Sequence, residues 1–404
     1  MPRPLPRDPM VRQLITQARA AQLSRRNLLA GAGIGAATLG LAACAPPAAA
    51  ELTPATDASE SEKTLIWANW PAYLDEDDAG DSPTLARFEE QSGIAVDYRV
   101  DVDDNNSYYA KVRDQLAAGR DIGADTVCLT EWMVARLVRL GYVQELDRAA
   151  MPNTRNLISS LAEPDFDPGR TRSMPWQGGF AGIAWNTEEI EKLESVSDLW
   201  APELKGRVGV LSEMRDTIGL ILLEQGVDIS AEFSADEFKA AIDELKSHVA
   251  SGQLRTVKGN SYLDDLNNGD TLAAICWSGD ITAANLEAGY EKFKFVIPSA
   301  GGTIWNDTFV VPMGSTHKAN AEALIDYYYD PEVAAEVAAW VNYITPVEGA
   351  VDSEWVKAND PELAENQLIF PNEETLSTVK AFRTLSPEEE QAYGTEFQSV
   401  LLGA

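Results

Sequence analysis

The chain has 404 residues, 45 % of them hydrophobic, with 64 acidic against 32 basic side chains and a formal charge of −32. Such a field repels nucleic acid and attracts small cations, although a solvated acidic surface accounts for it as well. Two histidines and three cysteines give no zinc-site or Cys-x-x-Cys spacing, and the length predicts two to three domains.

The first 43 residues run against the acidic trend. They hold six arginines and one acid, Asp8, a net +5 that leaves −37 on the rest. Arg25 and Arg26 precede a Gly/Ala-rich apolar run ending in Leu41-Ala42-Ala43-Cys44. A charged region, an apolar region and small residues before a cut site predict a bacterial secretory signal over 1–43. The paired arginines resemble a Tat signal, and "LAAC" resembles a lipobox with Cys44 lipidated. An N-terminal membrane anchor is the other reading, although the run is short for a span. Residues 44–62 then read as the lipidated cysteine and a flexible Pro/Ala/Thr/Ser/Glu linker. The expected product is exported and tethered by lipid, with a soluble body.

From Thr64 the signals alternate. "TLIWAN" (64–69) predicts a strand. "SPTLARFEEQSG" (82–93) predicts a helix, with Ser82 as cap, Pro83 in the first turn and Gly93 as stop. "IAVDYRV" (94–100) reads as a strand, 106–119 as a helix, "DTVCL" (125–129) as a strand and 131–141 as a helix. That βαβαβα run predicts a parallel sheet. A second series follows, with strands over 180–186, 207–211, 271–276, 292–297 and 303–311. Helix 234–252 carries a capping box, Ser234 with Glu237, and residues 318–346 predict two helices broken at Asp330-Pro331. Two α/β lobes follow, with a ligand site at strand ends or between lobes. Cys128 and Cys276 fall in apolar strands, as buried thiols or as a long-range disulfide.

Enzymatic patterns are absent: no G-x-S-x-G, Walker A or H-E-x-x-H occurs, and His248 and His317 read as solvent-facing. What recurs is a tryptophan at a strand end with an acid close by. Trp70 follows the first strand. Glu131 and Trp132 follow "DTVCLT", Trp277 and Asp280 stand in "CWSGD", and Trp305 and Asp307 in "IWNDT". Glu213 and Asp216 follow "RVGVL". Each tryptophan alone fits a core and each acid alone a wet surface. Together at strand ends they predict a cage for an ammonium, in which ring faces attract the cation and carboxylates accept its hydrogen bonds.

In order along residues 64–346, "LIWANWPAYL", "DTVCLTEWMVARLVRLGYVQELD", "MPWQGGFAGIAWN", "LWAPELKGRVGVL", "CWSGD" and "GGTIWNDTFVVP" resemble the polyamine (spermidine/putrescine) substrate-binding proteins of bacterial ABC importers. The resemblance implies an α/β, two-lobed type II periplasmic-binding-protein fold with discontinuous lobes and a hinge. Residues 63–173 with 277–325 would form one lobe, and 174–276 with 326–404 the other. It implies Trp70 and Tyr73 as one wall, Thr130 as a hydroxyl contact and Trp132 as an aromatic one. Glu213 and Asp216 would be acids of the second lobe, with Trp277–Asp280 and Trp305–Asp307 as ring-and-acid pairs. Where the family often carries an acid or hydroxyl after the first tryptophan, this chain has Pro71-Ala72, and Glu131 is expected to replace it. The implied protein is an extracytoplasmic, lipid-anchored monomer that hands a polyamine to a membrane permease, with no metal or other cofactor. The same fold with another cationic or amino-acid-like solute, a surface carboxylate hydrolase and an acidic adhesin are the alternatives.

Overall fold

The computed structural model describes residues 52–77 and 79–401. The signal expected over 1–43 and the lipidation of Cys44 lie outside the described residues.

Strand β1 (Thr64–Asn69) leads to helix α1 (Pro83–Ser92), strand β2 (Ala95–Val100), helix α2 (Asn105–Ala117), strand β3 (Thr126–Thr130) and helix α3 (Glu131–Arg139). The local chemistry sets these bounds. Ser82 Oγ accepts from Leu85 N, Pro83 opens α1, and Gly93 closes it at φ 70°. After a stretch of short 3₁₀ turns comes the long β4 (Met174–Asn186), then β5 (Val208–Leu211), α4 (Met214–Glu224), α5 (Ala235–Ala250), β6 (Leu254–Lys258), α6 (Tyr262–Asn267), β7 (Ala273–Trp277) and α7 (Ser278–Ala288). Strands β8 (Phe293–Val296) and β9 (Gly302–Val310) precede α8 (Lys318–Tyr328), α9 (Pro331–Val341), α10 (Glu354–Asn359), α11 (Glu373–Ser377), β10 (Val379–Ala381) and α12 (Pro387–Leu401). The capping box at Ser234 and the break at Asp330-Pro331 form as expected.

The sheet is mixed, in the order β2-β1-β3-β9-β4-β7-β5-β6, with β10 on β9 and β8 on β4. The parallel pairing expected of the first βαβαβα run forms within that run. The βαβ units do give parallel β1–β2, β1–β3, β5–β6 and β5–β7 pairs, but β9 runs antiparallel to β3, and β4 antiparallel to β9, β7 and β8. All thirteen residues of β4 are buried, because strands flank it on both edges. Its first half pairs with β9 and its second with β7, so it joins the two halves of the sheet.

Helices α8 and α9 pack on α1, and α8 also on β1, whereas α12 packs on α5. The segment after residue 326 is therefore shared between the halves. Trp67, fully buried, sits 4.9–5.7 Å from the rings of Tyr98, Trp176, Phe309 and Tyr328 and anchors the core of the first half. Cys128 and Cys276 are buried free thiols, so the disulfide alternative falls.

Two further expectations are corrected. Residues 52–62 are no loose linker: Ala55 N and Ala58 N donate to Met313 O and Thr316 O at 2.8 and 2.7 Å. His317 is not solvent-facing; its two ring nitrogens lie 3.0 Å from Asp125 and 3.0 Å from Glu62. Burial alone would lower its pKa, but the two carboxylates outweigh that and hold it above the usual histidine range. His248 is half-buried and stacks on Trp200 at 4.1 Å.

Candidate functional site

The parallel strands of both halves end on one cleft. β1 delivers Trp70, β3 delivers Thr130, β5 runs into Ser212 and Glu213, and β7 ends at Trp277. Strand β9 reaches the same place from the opposite direction. Its register sets Asp307 opposite Thr130, so the middle of β9, not its start, carries Trp305 and Asp307 past the end of β3. These groups line a cleft with about 500 Å³ of empty space, part of it open to solvent.

Nine of the eleven residues expected at the site line this cavity: Trp70, Tyr73, Thr130, Glu213, Asp216, Trp277, Asp280, Trp305 and Asp307. Two lie outside it. Glu131 turns away to an ion pair with the buried guanidinium of Arg170 at 2.5 Å, so it does not replace the acid missing at Pro71-Ala72. Trp132 stands behind the wall. Its Nε1 donates to Glu213 Oε2 at 3.1 Å, and its ring carries the Arg215 guanidinium at 4.1 Å.

The rings form a chain around the cavity. Trp70 meets Trp277 at 6.4 Å, Trp277 meets Trp305 at 6.2 Å, Trp305 meets Tyr343 at 5.3 Å, and Tyr343 meets Tyr73 at 5.5 Å, every pair steeply inclined. Steep crossings expose ring faces and edges to the space between them. Gly279 makes this closeness workable, since a Cβ there would lie 2.6 Å from the Tyr343 ring.

Each carboxylate is held by neutral donors. Asp280 accepts from Tyr343 Oη at 2.7 Å, Tyr262 Oη at 3.0 Å and Asn260 Nδ2 at 3.3 Å. Asp216 accepts from Trp277 Nε1 at 2.8 Å and Thr303 Oγ1 at 2.5 Å. Asp307 accepts from Thr130 Oγ1 at 2.7 Å, and the Tyr73 hydroxyl faces it without a hydrogen bond of normal geometry. Ser212 Oγ donates to Asp104 at 2.8 Å.

Burial is the dominant electrostatic cause. It pushes Asp307 and Glu213 up to about 7 and Asp280 to about 6, against the donors that favour their ionised forms, and it raises Asp216 as well. Neighbouring acids add to the rise at Glu213 and Asp307. Among the described residues no lysine or arginine lines the cavity. The Arg215 guanidinium lies 3.9 Å from Glu213 and is itself lowered to about 10 by burial. Four carboxylates facing one small space with so little counter-charge favour a cation over an anion there.

Sequence reasoning passes over Asp104, Asn105, Asn260, Tyr262, Thr303 and Tyr343. Asp104 had a usable signal, since "DVDDNN" follows β2 as the other acids follow their strands. Tyr343 had none: it comes after α9, far from any strand end.

A family model described as bacterial extracellular solute-binding protein matches residues 84–365. The spermidine/putrescine-binding periplasmic protein of Salmonella typhimurium is 27% identical over 325 residues, covering 80% of this chain and 87% of that protein. The putrescine-binding periplasmic protein of Escherichia coli is 27% identical over 345 residues, with 81% and 88% covered. The structure of a spermidine/putrescine ABC transporter substrate-binding protein from Streptococcus pneumoniae shares the fold at a TM-score of 0.65 and 22% identity, over 84% of this chain and 99% of that one.

Proposed function

This chain belongs to the family of bacterial extracellular solute-binding proteins, and from that premise we propose that it captures a polyamine in the ring-and-carboxylate cleft and delivers it to the permease of an ABC importer. The family acts outside the cytoplasm, and its members bind solutes and do not transform them. One observation carries the choice of solute: Glu213, Asp216, Asp280 and Asp307 share a buried cavity whose lining holds no lysine or arginine. Stripping water from an ammonium costs several kcal/mol, and only buried carboxylates with ring faces between them offset that loss along a thin aliphatic chain. A solute with its own carboxylate would find no counter-charge, which argues against the amino-acid-like alternative.

In this reading the strands on either side of β4 belong to two lobes. Helices α8 and α9 go with the first lobe, on which they pack, and α12 with the second. The ligand favours the form in which both lobes contact it, and that differential affinity drives closure. Cys44 carries the lipid that tethers the protein to the membrane, and the working unit is a monomer. The test is a thermal-shift screen with putrescine, spermidine, amino acids and sugars, followed by calorimetry. Polyamines alone raise the melting temperature. Asp280→Asn weakens spermidine binding at least ~10-fold, about 1.4 kcal/mol. A rise with sugars, or wild-type affinity in the variant, overturns the assignment.

A further inference from the structure

The cleft has unlike ends. At Asp307 it is lined by Thr130 and Tyr73, and none of these three residues borders a further cavity among the described residues. At Asp280 it continues, because Pro71, Asp103, Asn260 and Asp280 line both the inner cavity and a second, outer one of about 840 Å³ of empty space that opens to solvent. Ala72 lines the outer space and offers it only a methyl group. Asp280, 6% exposed, therefore serves two chambers. Asn260 stands at the same junction. Its Nδ2 is committed to Asp280, and its Oδ1 is buried and accepts no hydrogen bond. A buried carbonyl oxygen without a donor is costly, and a ligand N–H at that point would relieve it. Farther out, Asp264 on α6 has no side-chain ion pair or hydrogen bond among the described residues, and no lysine or arginine lines the outer chamber.

Resting on the polyamine reading above, we propose that the site is open at one end, so that it also takes amines longer than the inner cleft, up to linear tetraamines and triamines substituted on one terminal nitrogen. One terminal ammonium sits in the closed inner cleft and a secondary ammonium sits at Asp280 and Asn260. The remaining chain runs past Ala72 into the outer chamber, beside Asp103 and Asp264. Specificity then falls on one end of the ligand only. A substituent on the outer nitrogen is tolerated, and the same substituent on both ends is not. The outer contact is solvent-exposed, so it adds a modest, salt-sensitive increment while the inner cleft supplies most of the affinity.

Calorimetry of the purified chain with putrescine, spermidine, spermine, and spermidine benzylated on one or on both terminal nitrogens tests this. Spermine and the singly benzylated spermidine are expected within about 10-fold of spermidine, and the doubly benzylated one at least ~100-fold weaker. Asp264→Asn, a conservative change at an exposed position, is expected to weaken spermine by about 3-fold and leave putrescine within about 2-fold. Equal losses for singly and doubly benzylated spermidine overturn the open end, even while putrescine and spermidine bind. An unchanged spermine affinity in Asp264→Asn overturns the outer contact. If the folded wild type binds none of these amines, the polyamine reading itself falls.

Discussion

The indole Nε1 of Trp132 donates to Glu213 Oε2 at 3.1 Å from outside the cavity that Glu213 lines. Trp132 therefore acts on the site through a carboxylate and not through a ligand. Its ring lies between two guanidinium groups, Arg215 at 4.1 Å and Arg136 at 5.1 Å, and both arginines also approach Glu390 of α12. Trp132→Phe keeps the ring for the arginines and removes the donor. A hydrogen bond to a charged group is worth about 1.5–3 kcal/mol, of which only the part that differs between empty and occupied cleft reaches the affinity. We expect spermidine binding to weaken about 3- to 10-fold, with little change in melting temperature. Calorimetry and a melting curve check both, and unchanged affinity would reduce Trp132 to a packing residue.

Acidification should act in opposite directions on stability and on binding. Glu213 and Asp307 are pushed up to about 7 and Asp280 to about 6, well above the range near 4 of an unfolded chain. Between those values the folded, empty protein holds more protons than the unfolded one, so these groups cost stability as pH rises through about 4 to 7. The empty protein should melt at a higher temperature near pH 5 than near pH 8 as far as these groups govern it. A cation needs the same carboxylates ionised, so spermidine affinity should fall as pH is lowered through about 7 to 5. Calorimetry at pH 6.5 in buffers of different ionisation enthalpy should show proton release on binding. Proton uptake, or affinity flat from about pH 8 to 5, would be incompatible with the cleft's titration.

Much of this site can be read from the sequence because strand-end positions are local. A tryptophan or an acid just after or beside an apolar run is carried to one rim, and Trp70, Glu213, Asp216, Trp277, Asp280, Trp305 and Asp307 meet in the cavity, together with Tyr73 and Thr130, which the family resemblance implied. The failures have physical causes. Glu131 and Trp132 open α3, and the helix turns their side chains toward Arg170 and Glu213. The parallel order of the βαβ units is visible locally, and it forms. That β4 and β9 run against them is a matter of long-range pairing. Strand β6, with Asn260 just beyond it, is missed because "LRTVK" is half-exposed and has no apolar face.

Tyr343 is a site residue with no sequence signal. Its hydroxyl donates to Asp280 at 2.7 Å, and its ring meets those of Trp305 and Tyr73. Tyr343→Phe leaves the rings in place and takes one of three donors from Asp280. The carboxylate should rise further above its ordinary value, and spermidine affinity at pH 7 should fall about 3- to 10-fold, with recovery as pH is raised. A loss that is the same at every pH would point to ring displacement instead. Gly279→Ala, whose methyl would strike that ring, gives the comparison.

The two proposed lobes touch where Gly259, after β6, faces Asp103, after β2. A Cβ on Gly259 would lie 2.1 Å from the Asp103 carbonyl oxygen, and close by Ser261 N donates to Asp103 Oδ1 at 3.4 Å and Ser212 Oγ to Asp104 at 2.8 Å. The obstacle to a side chain is backbone on the other lobe, so no rotamer relieves it. Gly259→Ala should therefore fold normally in an open form and fail to close. We expect spermidine to bind at least ~10-fold more weakly. Small-angle scattering at saturating spermidine should give a radius of gyration near that of the empty protein, while the wild type compacts. The empty variant's melting temperature should stay close to wild type, because the clash arises only on closure. Wild-type affinity with normal compaction would show that this seam does not form when the ligand is held.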